Sequence, residues 1–195
     1  MNKPDQQLIA DYLQGDEASL ELLIKRYLKP IYSFIYRYVE NAQDAEDATQ
    51  EVFVKVWKHL EIFDQSKSFK TWIFSIAKNT AIDFLKKKKA IPFSEFSARG
   101  GSAFGGENED GGNIIADTFA DTAKLPQEIF ERKEIVQMLE LTIAELSPKY
   151  RAVLSLRYNN DFNFREIAET LGEPINTVKS RYRRALIMLK NLFNK

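Results

Sequence analysis

Along the first half of the chain, apolar positions return every three or four residues. Leu20, Leu23, Ile24, Tyr27, Leu28, Ile31, Ile35 and Tyr38 fall on one face of a helix, the period that lets an amphipathic helix bury a stripe. Asp16 stands where a cap is needed, and Pro30 is expected to kink or split the helix, because proline removes a backbone donor and crowds the preceding turn. Ala45, Ala48, Thr49, Val52, Phe53, Val56, Trp57 and Leu60 repeat the pattern from a capping candidate at Asp44. A third helix is predicted from about Ser68 through Trp72, Ile73, Ile76, Ala77, Thr80 and Phe84, ending in the lysines 86–89. Strand alternation is all but absent, so these segments predict a helical domain of about 90 residues, small but able to fold alone.

Glycine marks where that domain stops. Six of the eight glycines lie between Arg99 and Asn113, so one stretch carries most of the backbone freedom. Its mixture of glycine, acids and scattered phenylalanine predicts a flexible tether over 91–125. Beyond it, Pro126 opens a helix with Ile129, Val136, Leu139, Ile143 and Leu146 on its apolar face. Ser147 followed by Pro148 reads as a cap and first helical residue. Asn163 and Asn176 are further cap candidates, cutting the tail into short helices. The expected fold is all-α: two small helical domains, 1–90 and 126–195, joined by a flexible, glycine-rich, acidic linker.

Composition changes this picture in three places. Cysteine is absent, so there is no disulfide framework and no thiolate metal site. No apolar run approaches the roughly 20 residues needed to span a bilayer, and the amino terminus lacks the order of a signal peptide; a soluble, cytoplasmic protein is expected. The formal net charge of zero conceals a segregation. From Asn176 onward stand Lys179, Arg181, Arg183, Arg184, Lys190 and Lys195 with no acid, and from Lys67 to Lys89 seven lysines face Asp83 alone. Between Glu107 and Glu145, ten acids oppose Lys124, Arg132 and Lys133. Two basic patches around an acidic middle fit a protein that binds a polyanion.

The most specific chemistry lies in FREIAETLGEPINTVKSRYRRAL, 164–186. A helix-turn-helix needs a small residue where its helices cross, a residue tolerant of positive φ in the turn and an apolar residue seating the second helix. Ala168, Gly172 and Val178 supply these, with Ile167, Leu171, Tyr182 and Ala185 completing the wedge. Turning about 100 degrees per residue from Val178 brings Tyr182, Ala185 and Leu189 inward. Asn176, Ser180 and Arg183 then point outward, with Thr177, Lys179 and Arg184 at the flanks. These are candidates for a major groove, where Arg or Lys reads guanine and Ser either base type. Arg181 falls nearer the core edge, which assigns it to a phosphate or to a structural ion pair.

Read together, the two halves resemble a known family. LSPKYRAVLSLRYNNDFNFREIAETLGEPINTVKSRYRRAL resembles the carboxy-terminal promoter-binding domain of sigma factors, and DAEDATQEVFVKVWKHL followed by SFKTWIFSIAKNTAIDFLKKKK resembles their amino-terminal domain. The chain is similar to the small, extracytoplasmic-function type, covering nearly everything but the glycine-rich middle. The resemblance implies a non-enzymatic subunit that directs RNA polymerase to promoters and helps open them. Asp47, Gln50 and Glu51 would dock on the clamp coiled coil of the polymerase's largest subunit. Lys67, Phe69, Lys70, Lys78, Asn79, Lys86 and Lys87 would hold the promoter element nearest the start site, with Trp72 assigned to the core and Phe69 open between core and base stacking. Thr177, Lys179, Ser180, Arg181, Arg183 and Arg184 would contact the farther upstream element. The linker would thread the polymerase's channels, and a sequestering anti-sigma protein, common in the family, is a candidate partner. No catalytic residue, cofactor or metal is expected. Two rivals remain: a stand-alone helix-turn-helix regulator on operator DNA, and a metal-dependent nuclease using Asp44, Glu46, Asp47 and Glu51, which the lack of a nearby histidine disfavours.

Overall fold

The computed structural model describes residues 3–90 and 138–193, and the expectations for the linker and for Pro126, Ile129 and Val136 lie outside them. Every regular element among the described residues is helical. Helix α1 (Asp5–Leu13) precedes α2 (Glu17–Val39), α3 (Ala42–His59), a 3-10 turn (Leu60–Ile62) and α4 (Phe69–Ala90). A helical stretch at 138–144, here α5, leads to α6 (Pro148–Leu154), a π turn (Ser155–Asn159), α7 (Phe164–Leu171) and α8 (Ile175–Phe193).

The predicted stripes account for the first bundle. Leu23, Tyr27, Ile31, Phe34, Ile35 and Tyr38 of α2, Ala45, Ala48, Val52 and Val56 of α3, and Phe69, Ile73, Phe74, Ala77 and Ala81 of α4 share one core with Leu8 and Ile9 of α1. Asp16 caps α2 by accepting from the Ala18 amide. Pro30 neither splits nor ends α2, which runs continuously through it; the buried residues on both sides, Tyr27 and Ile31, hold the helix together against the roughly 3 kcal/mol that an interior proline costs. The cap of α3 is Asn41, whose side chain accepts from the Asp44 amide, so Asp44 lies inside the first turn. Leu28 and Trp57, placed on apolar faces by periodicity, are 48% and 56% exposed. Helix α1 was not anticipated; it is pinned to α2 by Asp5, which accepts from the Tyr27 hydroxyl at 2.5 Å and pairs with Arg26.

In the second half, Ser147 and Pro148 open α6 as expected, although the serine hydroxyl makes no capping bond. Asn163 caps α7 with a full capping box: its side chain accepts from the Arg165 and Glu166 amides, and Glu166 accepts from the Asn163 amide. Asn176 is not a cap, because α8 begins at Ile175 and Pro174 carbonyl accepts the first helical bond from Thr177.

The two halves pack on each other. The core of the first bundle continues into Ala152, Val153, Leu156, Phe162, Ile167, Leu171 and Val178. Helix α6 lies against α2, and α7 against α4. A line of rings runs through the join: Phe34 meets Phe74 edge-on at 5.2 Å, and Phe74 meets Phe162 edge-on at 5.2 Å. Phe34 has no exposed surface, and Phe34→Ala is expected to cost about 3 to 5 kcal/mol in urea unfolding followed by circular dichroism. A loss under about 1 kcal/mol would mean that this ring line does not organise the core.

Candidate nucleic-acid interface

The carboxy-terminal half builds a helix-turn-helix from the residues that the sequence nominates. Gly172 ends α7 in the left-handed conformation at φ 64°, where a Cβ would be strained. Val178 and Ala185 are fully buried, Ala168 is partly buried, and Tyr182 meets Phe164 edge-on at 5.2 Å. The Tyr182 and Tyr158 hydroxyls lie 2.6 Å apart, and that hydrogen bond, aided by burial, raises the Tyr182 pKa. With that face turned inward, Asn176, Thr177, Lys179, Ser180, Arg183 and Arg184 are exposed.

Arg181 differs from its neighbours. Its Nη1 donates to Glu173 Oε1 at 2.9 Å and lies 2.8 Å from Oε2. The structure thus takes the ion-pair alternative for Arg181, and the pair ties α8 to the turn. Glu173 also faces α2: burial first, and then the Glu173 charge, raise the pKa of Tyr38. Asn176, Thr177, Ser180, Arg181 and Arg184 line an open cleft of about 440 Å³ with Lys149 and Tyr150 from the start of α6. Lys149 and Tyr150 were not singled out in the sequence. Their signal was the basic residue directly after Pro148, at a helix start that packs beside α8.

Helix α4 carries the second candidate surface. Lys67, Asn79, Lys86 and Lys87 are exposed and Lys78 is half-buried. Lys67 lies 4.0 Å from Asp64 and Lys86 lies 3.9 Å from Asp83, exposed pairs worth little. Lys70 is engaged elsewhere: its ammonium donates to the Asn160 carbonyl and sits 4.7 Å from the centre of the Phe162 ring. Phe69 corrects one expectation. It is 1% exposed, enclosed edge-on by Tyr27 and Phe63 and beside Trp72. Those partners all belong to the first bundle, so Phe69 is a core residue, not a ring offered to a base. Trp72, assigned to the core, packs there against Phe63 with ring centres 4.7 Å apart.

On α3, Asp47 and Gln50 are exposed and Glu51 is half-exposed. Asp47 accepts from the Gln43 side chain at 3.3 Å. Glu51 pairs with Lys55 at 2.6 Å, and Lys55 reaches on to the Thr80 hydroxyl at 3.0 Å, so this polar face is fixed relative to α4. Among the described residues no cluster of acids and histidines could hold a metal ion, and no described helix is long and apolar enough to cross a membrane.

A capped helix-turn-helix with a basic outward face, joined to a helical bundle bearing a second basic helix, has the form of a helical DNA-binding protein. Sigma-70 region 2 matches residues 23–91 and sigma-70 region 4 matches residues 136–189. The chain is 30% identical over 171 residues to the ECF RNA polymerase sigma factor SigW of Bacillus subtilis, covering 88% of this chain and 87% of that protein. It is 32% identical over 182 residues to the RNA polymerase sigma-H factor of Pseudomonas aeruginosa, covering 93% and 89%. With the ECF RNA polymerase sigma-E factor of Escherichia coli K12 it shares 30% identity over 187 residues, covering 96% and 93%. This chain therefore belongs to the extracytoplasmic-function sigma factors of the sigma-70 family. Solved structures that share its fold include two that cover nine-tenths or more of the chain. One is CnrH in complex with the cytosolic domain of CnrY, with a TM-score of 0.63 and 20% identity over 97% of each chain. The other is the sigma factor RpoE of Bartonella quintana in complex with the anti-sigma factor NepR, with a TM-score of 0.60 and 19% identity over 90% of this chain and 96% of that one.

The capping box is the local feature that starts the helix-turn-helix. Asn163→Ala is expected to cost about 1 kcal/mol, within a range of roughly 0.5 to 2, in thermal or urea unfolding. No loss in either measurement would mean that the Asn163 and Glu166 bonds do not set the start of α7.

Proposed function

We propose that this protein is a promoter-specificity subunit that binds core RNA polymerase in the cytoplasm and directs it to begin transcription at particular promoters. The observation that carries this reading is the pairing of two DNA-competent faces on one helical chain with a separate polar face on α3. Helix α8, with Thr177, Lys179, Ser180, Arg183 and Arg184, takes the upstream promoter element. Helix α4, with Lys70, Lys78, Asn79, Lys86 and Lys87, and with Lys67 just ahead of it, takes the element nearer the start site, where lysines neutralise phosphates. Asp47, Gln50 and Glu51 of α3 take a basic surface of the polymerase through charge-assisted hydrogen bonds. Residues 1–90 and 126–195 are the two working domains. The names of the relatives support the reading, and the anti-sigma partner in the Bartonella quintana complex supports an anti-sigma protein as a further partner here.

The groups needed are those of binding and positioning; the subunit lends the polymerase specificity and does no bond chemistry itself. Run-off transcription with purified core polymerase on a promoter fragment library tests the reading: discrete starts that require this protein are expected. A stand-alone regulator would instead bind duplex operator tightly and give no such starts.

Two sets of variants probe the assigned faces. Asp47→Lys combined with Glu51→Lys places positive charge against a basic partner, and pull-down of core polymerase should fall by tenfold or more, on the order of 1.4 kcal/mol. Unchanged pull-down would remove α3 as the docking face. A good bidentate base contact contributes about 1 to 3 kcal/mol of discrimination, so Arg184→Ala should relax preference at one or two upstream positions in selection on randomised elements. Arg181→Ala should leave base preference intact and lower stability by about 1 kcal/mol or less. The reverse pattern would mean that α8 is turned differently on the DNA.

A further inference from the structure

The outward face of α8 changes character along its length. With the buried Val178 as the inward direction and about 100 degrees per residue, Ser180 and Arg183 stand about 160 and 140 degrees away, and Ile187 stands directly opposite. Ile187 is 53% exposed. Its rotation is fixed from the other side of the helix: Ala185 is fully buried and Leu189 packs against the same small core, so the residue midway between them faces solvent. Leu186 and Met188, also exposed, are turned about 100 degrees to either side of it. The residues that share the outward face with Ile187 are cationic or polar: Ser180, Arg183 and Arg184 precede it and Lys190 and Asn191 follow it, all of them exposed.

Single exposed apolar residues are ordinary on protein surfaces, and the place of this one is what singles it out. A helix face carrying three cations meets a polyanion, and the apolar group that duplex DNA displays in its major groove is the C5-methyl of thymine. An isoleucine is stiff at χ1, so it can present its methyl groups with little further loss of freedom on contact. We propose that Ile187 is a specificity-determining residue that reads thymine by packing on its C5-methyl in the major groove. This rests on the reading of α8 as the helix that takes the upstream promoter element. Seven residues separate Ser180 from Ile187, about 10 Å of helix at 1.5 Å per residue. At 3.4 Å per step of the duplex, the thymine lies at most about three base pairs beyond the pair met by Ser180. The contact adds a preference for an A·T pair, which the guanine-seeking arginines of the same helix do not supply.

The test uses the full chain bound to core polymerase, and duplexes carrying the upstream element that this protein selects from a randomised pool. Each thymine in turn is replaced by uracil, which lacks the methyl group and keeps the O4 acceptor. One replacement, within about three base pairs of the position whose preference Ser180→Ala relaxes, should weaken wild-type binding about fourfold, the worth of one buried methyl group. Ile187→Ala should bind the thymine and uracil duplexes alike at that position, Ile187→Val should keep most of the difference, and Arg184→Ala should keep it too. Alanine at an exposed helix position favours the helix, so the variant tests contact and not folding. Three results would each overturn the assignment: wild-type indifference to uracil at every thymine, a selected element with no A·T pair in that interval, or a uracil effect that Ile187→Ala leaves whole. Weaker capture of core polymerase by Ile187→Ala with the uracil effect intact gives the side chain to a protein contact, which also overturns it. The reading of α8 as a promoter helix fails differently, because the wild type would then select no element from the pool at all.

Discussion

Phe74 meets Phe34 on one side and Phe162 on the other, each edge-on at 5.2 Å. The rest of the molecule is arranged around that sequence of rings. Edge-to-face pairs fix angle as well as distance, because the positive rim of one ring seeks the negative face of the next, and each adds about 0.5 to 1.5 kcal/mol beyond area burial. Phe34 belongs to α2, Phe74 to α4, and Phe162 to the turn that precedes the helix-turn-helix. A rotation of α4 about its axis would break both contacts, so the same rings that close the first bundle also set which α4 face meets the second. The lysines of α4 inherit their orientation from this constraint: Lys70, four residues before Phe74, falls at the seam, while Lys86 and Lys87 at the far end remain exposed.

Charge is distributed by the same logic. The zero formal net charge is the sum of local pairings and exposed cationic faces. Lys55 is held between Glu51 and Thr80, Arg181 against Glu173, and Lys88 against Asp44 at 2.8 Å. Each of these pairs links two elements or steadies a helix face, and each sits next to a surface assigned to binding. A side chain already ordered by such a pair loses less conformational freedom when a partner arrives. The pairs therefore belong to the scaffold that positions the exposed polar faces, and their energy as isolated ion pairs matters less than the geometry they fix.

Much of this was legible in the sequence because it depends on local rules. The three-and-four spacing located α2, α3 and α4, and the need for a positive φ located the turn at Gly172. Val178 as the inward reference placed Ser180, Arg183 and Arg184 outside and Arg181 at the edge, where its partner Glu173 was found. What escaped depends on partners distant in sequence. Pro30 is tolerated because flanking residues are buried against α1, α3 and α4, and no local rule contains that compensation. Phe69 sits among rings from Tyr27 and Phe63, so its burial cannot be read from the α4 period. Asn41 outcompetes Asp44 as a cap only because the chain leaves α2 through Glu40 in the left-handed conformation, at φ 55°. Helix α1 is short, and its attachment rests on Asp5 meeting Tyr27, 22 residues away.

The three arginines of α8 show how one helix separates fixed from available charge. Arg181, Arg183 and Arg184 are nearly adjacent in sequence, yet at about 100 degrees per residue Arg183 points about 160 degrees from Arg181, while Arg184, one turn on, lies about 60 degrees from Arg181 and further from the core. Arg181 turns back toward the residue that follows Gly172, and that residue is an acid. The left-handed turn at Gly172 is therefore coupled to the start of α8 twice: it directs the chain into Pro174 and Ile175, and it sets Glu173 within reach of Arg181. The Arg181 guanidinium is engaged by the Glu173 carboxylate at the turn. Arg183 and Arg184 are exposed. Arg183 and Arg184 thus stay exposed on α8 because the turn after Gly172 supplies the acid that holds Arg181.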